Sequence, residues 1–317
     1  MQYALALTLA LALIMDYLYP RHSGVLYLTH PVHLTYVIAA NMHRPYSGRV
    51  RGVAVWFASV APVLAAYIAP IIILLKLNEG LASTIILIIY SAYVVKLSLS
   101  LKLLIDIVRE YVAHVKLGDW NGARAVAQQI VRRNVWALDE GHVNSAVVES
   151  LFESIVDGFT SPLMYLLLLG PPGALLQRLA NTMDSALGYR DPEYLREGWF
   201  SARVDTALNY LPARLTSLML VALSRRRGLG MVLKASSVDS VNARWVFSAA
   251  SVALGIVLEK PGEYRVGSGE LPSIGDVERS IRLAEALAML SIAISIALAS
   301  IIGNPLGILG ILLNNAR

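Results

Sequence analysis

Cysteine is missing altogether from these 317 residues. Disulfides, thiolate metal centres and cysteine nucleophiles are therefore excluded. Charge is scarce too. Only 15% of the residues are Asp, Glu, Lys or Arg, against roughly 25% in an ordinary soluble domain. With 56% apolar residues, that shortfall favours a membrane protein before any segment is inspected. The N-terminus lacks the basic flank of a signal peptide. Met1 to Met15 therefore reads as an uncleaved first helix, despite the triplet Ala10-Leu11-Ala12. Nucleotide and hydrolase motifs are wanting as well. No Gly-Lys-Ser or Gly-Lys-Thr follows Gly170-Pro171-Pro172-Gly173, and neither G-x-G-x-x-G nor G-x-S-x-G occurs. Strand signals are weak, and no internal repeat is visible.

Long apolar runs are present instead. Val53 to Leu75 carries no charge and is long enough for a bilayer core of ~30 Å at ~1.5 Å per residue. Pro62 and Pro70 inside it are tolerable in a membrane helix. Asn78-Glu79-Gly80 reads as a turn and Leu81 to Val95 as a second helix, with Lys96 and Lys102 snorkelling to the interface. Asp106 to Arg133 is charged and amphipathic. Phe159 to Leu176 is apolar but broken by Pro162, Gly170, Pro171, Pro172 and Gly173, so it reads as a buried or re-entrant segment. Thr206 to Leu223 is apolar again. Gly262 to Gly275 reads as a loop, and Ala286 to Ile302 as a last helix ended by Gly303-Asn304-Pro305.

The expected fold class is thus all-α: a polytopic helical membrane protein of four or five membrane helices. Residues 1–105 form N-terminal membrane helices, 106–205 a polar insert facing the cytosol, and 206–317 C-terminal membrane helices with a Gly-rich loop. The net charge of +5 is better explained by basic cytoplasmic loops than by nucleic acid, which is not an expected partner. Arg225-Arg226-Arg227 and the loops around Arg44, Arg49, Arg51, Arg132 and Arg133 should face the cytoplasm.

Chemistry should lie between Leu138 and Arg214. No Lys or Arg falls between Arg133 and Arg178, yet that interval holds Asp139, Glu140, Glu149, Glu153 and Asp157. Glu149, Glu153 and Asp157 are spaced i, i+4, i+8, so one helix places them on one face. Beside apolar Val148, Leu151 and Phe152 such a stripe is costly if unpaired. Mg²⁺ with phosphate ligands would relieve that cost. A solvated polar face is the other reading of the same stripe. A second cluster holds Asn181, Asp184, Arg203, Asp205, Asn209 and Arg214. Ionisable residues at the edge of a membrane helix are usually functional, and Arg suits phosphate. Charge pairing that merely joins helices is the alternative. His30-Pro31-Val32-His33 lacks the i, i+4 spacing of a helical metal pair, so no zinc site is expected.

These residues also resemble a family. Leu138-Asp139-Glu140-Gly141, the run from Ala146 through Glu149 and Glu153 to Asp157-Gly158, and Ser161-Pro162-Leu163 look like the signature of adenosylcobinamide-phosphate synthases. So do Gly170-Pro171-Pro172-Gly173-Ala174, Asn181-Thr182-Met183-Asp184-Ser185, Gly198-Trp199-Phe200-Ser201-Ala202-Arg203-Val204-Asp205 and Asn209-Tyr210-Leu211-Pro212-Ala213-Arg214. Weaker likenesses are Asp16, His30-Pro31-Val32, Arg51-Gly52 and the stretch Leu254 to Tyr264. The chain departs from the pattern at Ser154, Thr206 and Arg244, which are not carried over as contacts.

The resemblance implies a membrane enzyme that uses ATP and Mg²⁺ to join a corrinoid carboxylate to an amino-alcohol or its phosphate. A carboxylate oxygen is a poor leaving group until it is phosphorylated, and Mg²⁺ neutralises the transferring phosphate. On that reading Glu149, Glu153 and Asp157 hold metal or nucleotide phosphate. Asp184 and Asp205 hold a second metal or accept the ammonium proton. Arg203, Arg214 and Asn209 serve the phosphates, and His30 and Asn181 position substrate. The implied setting is the cell membrane, with the active face cytoplasmic. Homo-oligomers or contact with other enzymes of the pathway stay open. The rival class is a transporter or permease, which would place its charges at the midplane within inverted repeats.

Overall fold

The computed structural model describes residues 3–77, 80–224 and 238–315. The apolar runs fold into α1 (Ala4–Leu18), α2 (Gly24–Leu28), α3 (Pro31–Met42), α4 (Arg49–Lys76) and α5 (Leu81–Lys96). The charged middle gives α6 (Leu101–Lys116), α7 (Trp120–Ala127) and α8 (Glu140–Ile155). Then come α9 (Ser161–Leu187), α10 (Trp199–Leu208), α11 (Tyr210–Leu223), α12 (Ala243–Leu254), α13 (Ile274–Ile302) and α14 (Gly307–Asn315). Four stretches are long and apolar enough to cross a membrane: Arg49–Lys76, Leu81–Lys116, Glu140–Leu187 and Ile274–Leu313. The chain is an all-α polytopic membrane protein. Much of α4, including Phe57, Ile72 and Ile73, is exposed apolar surface, as a lipid-facing helix requires.

The described residues gather into two compact units. One comprises Met1–Ser100, Asp157–Leu208 and Ile292–Arg317; the other comprises Leu101–Val156 and Asn209–Ser291. These units cut across the three consecutive segments read from the sequence. The core of the first unit joins Val55 and Val60 of α4, Leu87 and Val94 of α5, and Leu175, Leu179 and Met183 of α9. The core of the second joins Val108 and Tyr111 of α6, Val147, Leu151 and Phe152 of α8, and Phe247 and Ala250 of α12.

Several expectations change. The stretch 106–205 is not simply a non-spanning insert, because Glu140–Leu187 is helical and apolar enough to cross. Its interruptions are nevertheless real. A π-helical turn covers Val156–Thr160, where the Ser100 amide donates to the Gly158 carbonyl at 3.0 Å. Farther on, α9 breaks at Gly170, whose φ is 68°. Only glycine adopts that conformation without strain. The two prolines that follow open the resumed helix, where their missing N–H groups cost nothing. The expected Gly262–Gly275 loop contains a strand. β1 (Leu258–Lys260) and β2 (Tyr264–Val266) pair antiparallel, Leu258 opposite Val266. Asn78, Glu79 and the triple Arg225-Arg226-Arg227 lie outside the described residues.

Candidate functional site

In the first unit, charged side chains from five elements converge. Asp16, near the end of α1, and Lys96, the last residue of α5, are both buried, Lys96 only 3% exposed. They act on each other electrostatically. The Lys96 ammonium reaches the ring of His22, in the α1–α2 connection, at 2.9 Å from Nε2. The His22 ring lies 4.7 Å from that of His30, centroid to centroid. His30 caps α3: its Nδ1 accepts from the Val32 amide at 3.3 Å. From α9, the Arg178 guanidinium lies close enough to Asp157, Asp16 and Asp205 to feel all three charges. Asn181, one turn on, joins this group to α10, its Nδ2 donating to Asp205 Oδ1 at 3.1 Å. Arg178 Nη1 approaches Asn181 Oδ1 at 3.4 Å. A Cβ on Gly158 would stand 2.2 Å from Ser100 Oγ and 3.2 Å from Arg178 Nη1, so glycine in the π-turn leaves room first for the Ser100 side chain and then for the guanidinium.

The cluster combines buried Lys96 and half-buried Arg178 with three carboxylates. Among the described residues, no three His, Asp or Glu side chains stand close enough to hold a metal on their own. Mg²⁺ seldom needs such a cage, because it takes one or two carboxylates and completes its shell with phosphate oxygens and water. Asp157 and Asp205 are the carboxylates of the cluster that could hold such an ion, and Lys96 and Arg178 the cations that could meet its anionic ligands.

The second unit holds a different network. Glu149 on α8 is 5% exposed. Its Oε2 accepts from Arg133 Nη2 at 2.8 Å and from the Tyr264 hydroxyl at 2.8 Å. Its Oε1 accepts from Ser145 Oγ at 2.9 Å, and Ser145 Oγ in turn accepts from the Glu259 amide at 2.8 Å. This is a latch between α8, the Arg133 loop and the β1–β2 hairpin. Burial and the neighbouring Glu149 charge push the Tyr264 phenol well above its usual range, so it stays a donor.

Comparison with known proteins is decisive for kinship. The family model described as CobD/Cbib protein matches residues 9–293. This chain belongs to the CobD/Cbib family. A relative from Aeropyrum pernix, described as a probable cobalamin biosynthesis protein CobD, is 39% identical over 311 residues, covering 96% of this chain and 95% of its own. Proteins of the same description from Thermoplasma acidophilum and Thermococcus kodakarensis are 35% and 40% identical. They cover 72% and 61% of this chain, and 77% and 63% of their own lengths. No solved structure matches.

In this CobD/Cbib protein the residues singled out from sequence fall into separate groups. Asn181, Asp205, Asp157 and His30 belong to the first-unit cluster. Asp184 follows Asn181 by one turn, its carbonyl accepting from the Gly188 amide at 2.7 Å. Glu149 is the latch residue, and its arginine partner is Arg133 rather than Arg203 or Arg214. The three-carboxylate metal stripe does not form as expected. The helix carrying Glu149 and Glu153 passes into the π-turn after Ile155, so Asp157 leaves the i, i+4 register. Arg203 is exposed and points roughly 200° round α10 from Asp205. Arg214 is occupied otherwise. Its Nη1 donates to Asn242 Oδ1 at 2.9 Å and its Nη2 to the Val241 carbonyl at 3.2 Å. The guanidinium stacks 3.5 Å over the Tyr210 ring. Asn209 is buried before α11, its carbonyl accepting from the Ala213 amide at 3.0 Å.

Sequence reasoning missed Arg178, Lys96 and His22. Arg178 had a signal, as the cation that ends a long cation-free interval. Lys96 had one too, as a lone charge closing an apolar run, but snorkelling explained it equally well. Instead the side chain turns inward to His22 and Asp16.

Proposed function

We propose that this CobD/Cbib protein acts in cobalamin biosynthesis as an ATP-dependent ligase. It joins the carboxylate of adenosylcobyric acid to (R)-1-aminopropan-2-ol or its O-phosphate, giving adenosylcobinamide or its phosphate. The observation that carries the reading is the convergence of buried Lys96 and Asp16 with half-buried Arg178, Asp157 and Asp205. Ionisable groups within an apolar body are expensive and mark sites of function. The relatives, described as probable cobalamin biosynthesis proteins, support the pathway, and the motif run from Leu138 to Arg214 resembles that of enzymes with this chemistry.

ATP with Mg²⁺ supplies the phosphoryl group that makes the carboxylate oxygen a leaving group. Arg178 and Lys96 hold the anionic groups in register. Asp157 and Asp205 would hold the magnesium ion, which would neutralise phosphate charge when bound. The attacking amine must first lose a proton, and Asp184 or Asp205 accepts it. Asn181 keeps Asp205 oriented through its amide. The active face is the cytoplasmic one, where ATP is available, and the protein sits in the cell membrane.

The test is mass spectrometry of the corrinoid after incubating purified protein with ATP, Mg²⁺ and each amine. Amide product that requires ATP supports the ligase. Corrinoid accumulated unmodified inside proteoliposomes, with no product from either amine, would replace it with a transporter.

A further inference from the structure

The depth of the first-unit cluster follows from hydrogen bonds along α3, α4 and α5. Arg51 Nη2 donates to the Met42 carbonyl at 2.5 Å, so the end of α3 lies beside the start of α4. At the other end of α3, the Tyr67 hydroxyl donates to the Thr29 carbonyl. The two helices are therefore antiparallel, and α3 begins level with the interior of the crossing helix Arg49–Lys76. Tyr67 itself is about 21 Å from Val53 and about 12 Å from Leu75 along the helix. The Tyr90 hydroxyl donates to the Tyr67 carbonyl at 3.2 Å, which registers α5 at the same level. Lys96 then falls about 9 Å nearer to the α4 start.

α1 comes from the opposite direction. It packs along α5, and Asp16 and Lys96, close to the C-terminal ends of the two helices, act on each other. α1 and α5 are therefore parallel, and α5 starts on the side where α4 ends. α1 is about 22 Å long and α3 about 18 Å. Neither alone crosses a hydrocarbon core of ~30 Å, but α1, entering from the side where α4 ends, and α3, leaving towards the α4 start, overlap in depth and together do.

We propose that α1 and α3 are two halves of one interrupted membrane-crossing helix. The charged cluster sits in the interruption, inside the bilayer, and the apolar side chains of the connection face lipid acyl chains. The connection Tyr19–His30 suits that place. Val25, Leu26, Tyr27 and Leu28 are all exposed, Val25 by 73%. The backbone at its end is served internally. The Thr29 amide donates to the Val25 carbonyl at 2.9 Å, the His30 amide to the Tyr27 carbonyl at 3.1 Å, and Thr29 Oγ1 to the Val25 carbonyl at 2.9 Å. Irregular backbone at membrane depth needs such partners. Arg21, the single charged residue of the connection, is itself engaged.

The inference does not depend on the ligase reading: charge at membrane depth is shared with the transporter class, which differs in its inverted repeats. On the ligase reading the depth has a use. An activated carboxylate held within the membrane is shielded from water, so the amine rather than hydrolysis consumes it.

Because the chain has no cysteine, single nitroxide labels can be placed cleanly. The variants are Val25→Cys and Leu28→Cys in the connection, with Val50→Cys and Leu81→Cys, 86% and 77% exposed, at the two ends of the α4–α5 pair. After reconstitution of the full chain in phosphatidylcholine vesicles, relaxation by oxygen and by a water-soluble nickel chelate is compared. Labels at 25 and 28 should be oxygen-favoured by several-fold over labels at 50 and 81. Nickel access at 25 and 28 equal to that at 50 overturns the proposal. The measurement contains no activity term, so a failed ligase assay and a failed depth profile are separate outcomes.

Discussion

Arg178 and Arg203 show how much neighbourhood decides at the scale of the residue. Arg178 faces three carboxylates, while Arg203 is exposed two positions from Asp205. Arg178→Gln should lower kcat/KM for amide formation by about a hundredfold or more, and Arg203→Gln should leave it near the parent value; product quantification by mass spectrometry compares the two. Glu149 is bound by Arg133, Tyr264 and Ser145, so its loss leaves a buried guanidinium uncompensated. Glu149→Gln is expected to destabilise the protein by about 3 kcal/mol, read from unfolding in detergent. Adding Arg133→Met should restore part of that loss. A metal-ligand role predicts the opposite pattern, with stability kept, activity gone and no rescue. Ser145 lies one turn from Glu149 on the same helix, but Arg133 and Tyr264 were not legible in the sequence, because a loop before α8 and the β1–β2 hairpin bring them to it only in the fold.

At the scale of the element, helix positions followed from apolar length and the break near Gly170 from its glycines and prolines, whereas the π-turn after Ile155 needed coordinates. The break at Gly170 combines φ of 68° with a close neighbour, since a Cβ there would stand 2.7 Å from the Leu306 Cα. Gly170→Ala should therefore cost about 1–3 kcal/mol, visible as a lowered Tm. The N-terminus of α8 is capped by Asp139, which accepts from the His142 amide at 2.9 Å. That bond, with the His142 ring, holds the Asp139 carboxyl below its usual range. A depressed carboxyl stabilises fully above its unfolded value of about 4 and loses the contribution as pH falls through the folded value. Asp139→Ala should cost about 1 kcal/mol at neutral pH. The gap in Tm from the parent should shrink on acidification below about pH 4; a gap that widens there contradicts the cap. The β1–β2 hairpin escaped notice because strands of three residues are too short to display a period of two.

For the whole molecule, four long apolar stretches predict that the protein stays in the membrane pellet through carbonate and high-salt washes and leaves it only with detergent; release by carbonate would contradict a spanning protein. The amino-acid sequence alone determined the all-α membrane class, because the apolar length needed to cross a bilayer is a property of consecutive residues. It also carried the family signature, since motif order and spacing are properties of the chain. Which charges meet was decided only by tertiary packing. Asp16, His22, Lys96, Arg178 and Asp205 come from separated segments, and electrostatic energy depends on distance in space, which spacing along the chain does not encode. Asp157, in the π-turn after Ile155, acts on Arg178 and forms no three-carboxylate metal group with Glu149 and Glu153.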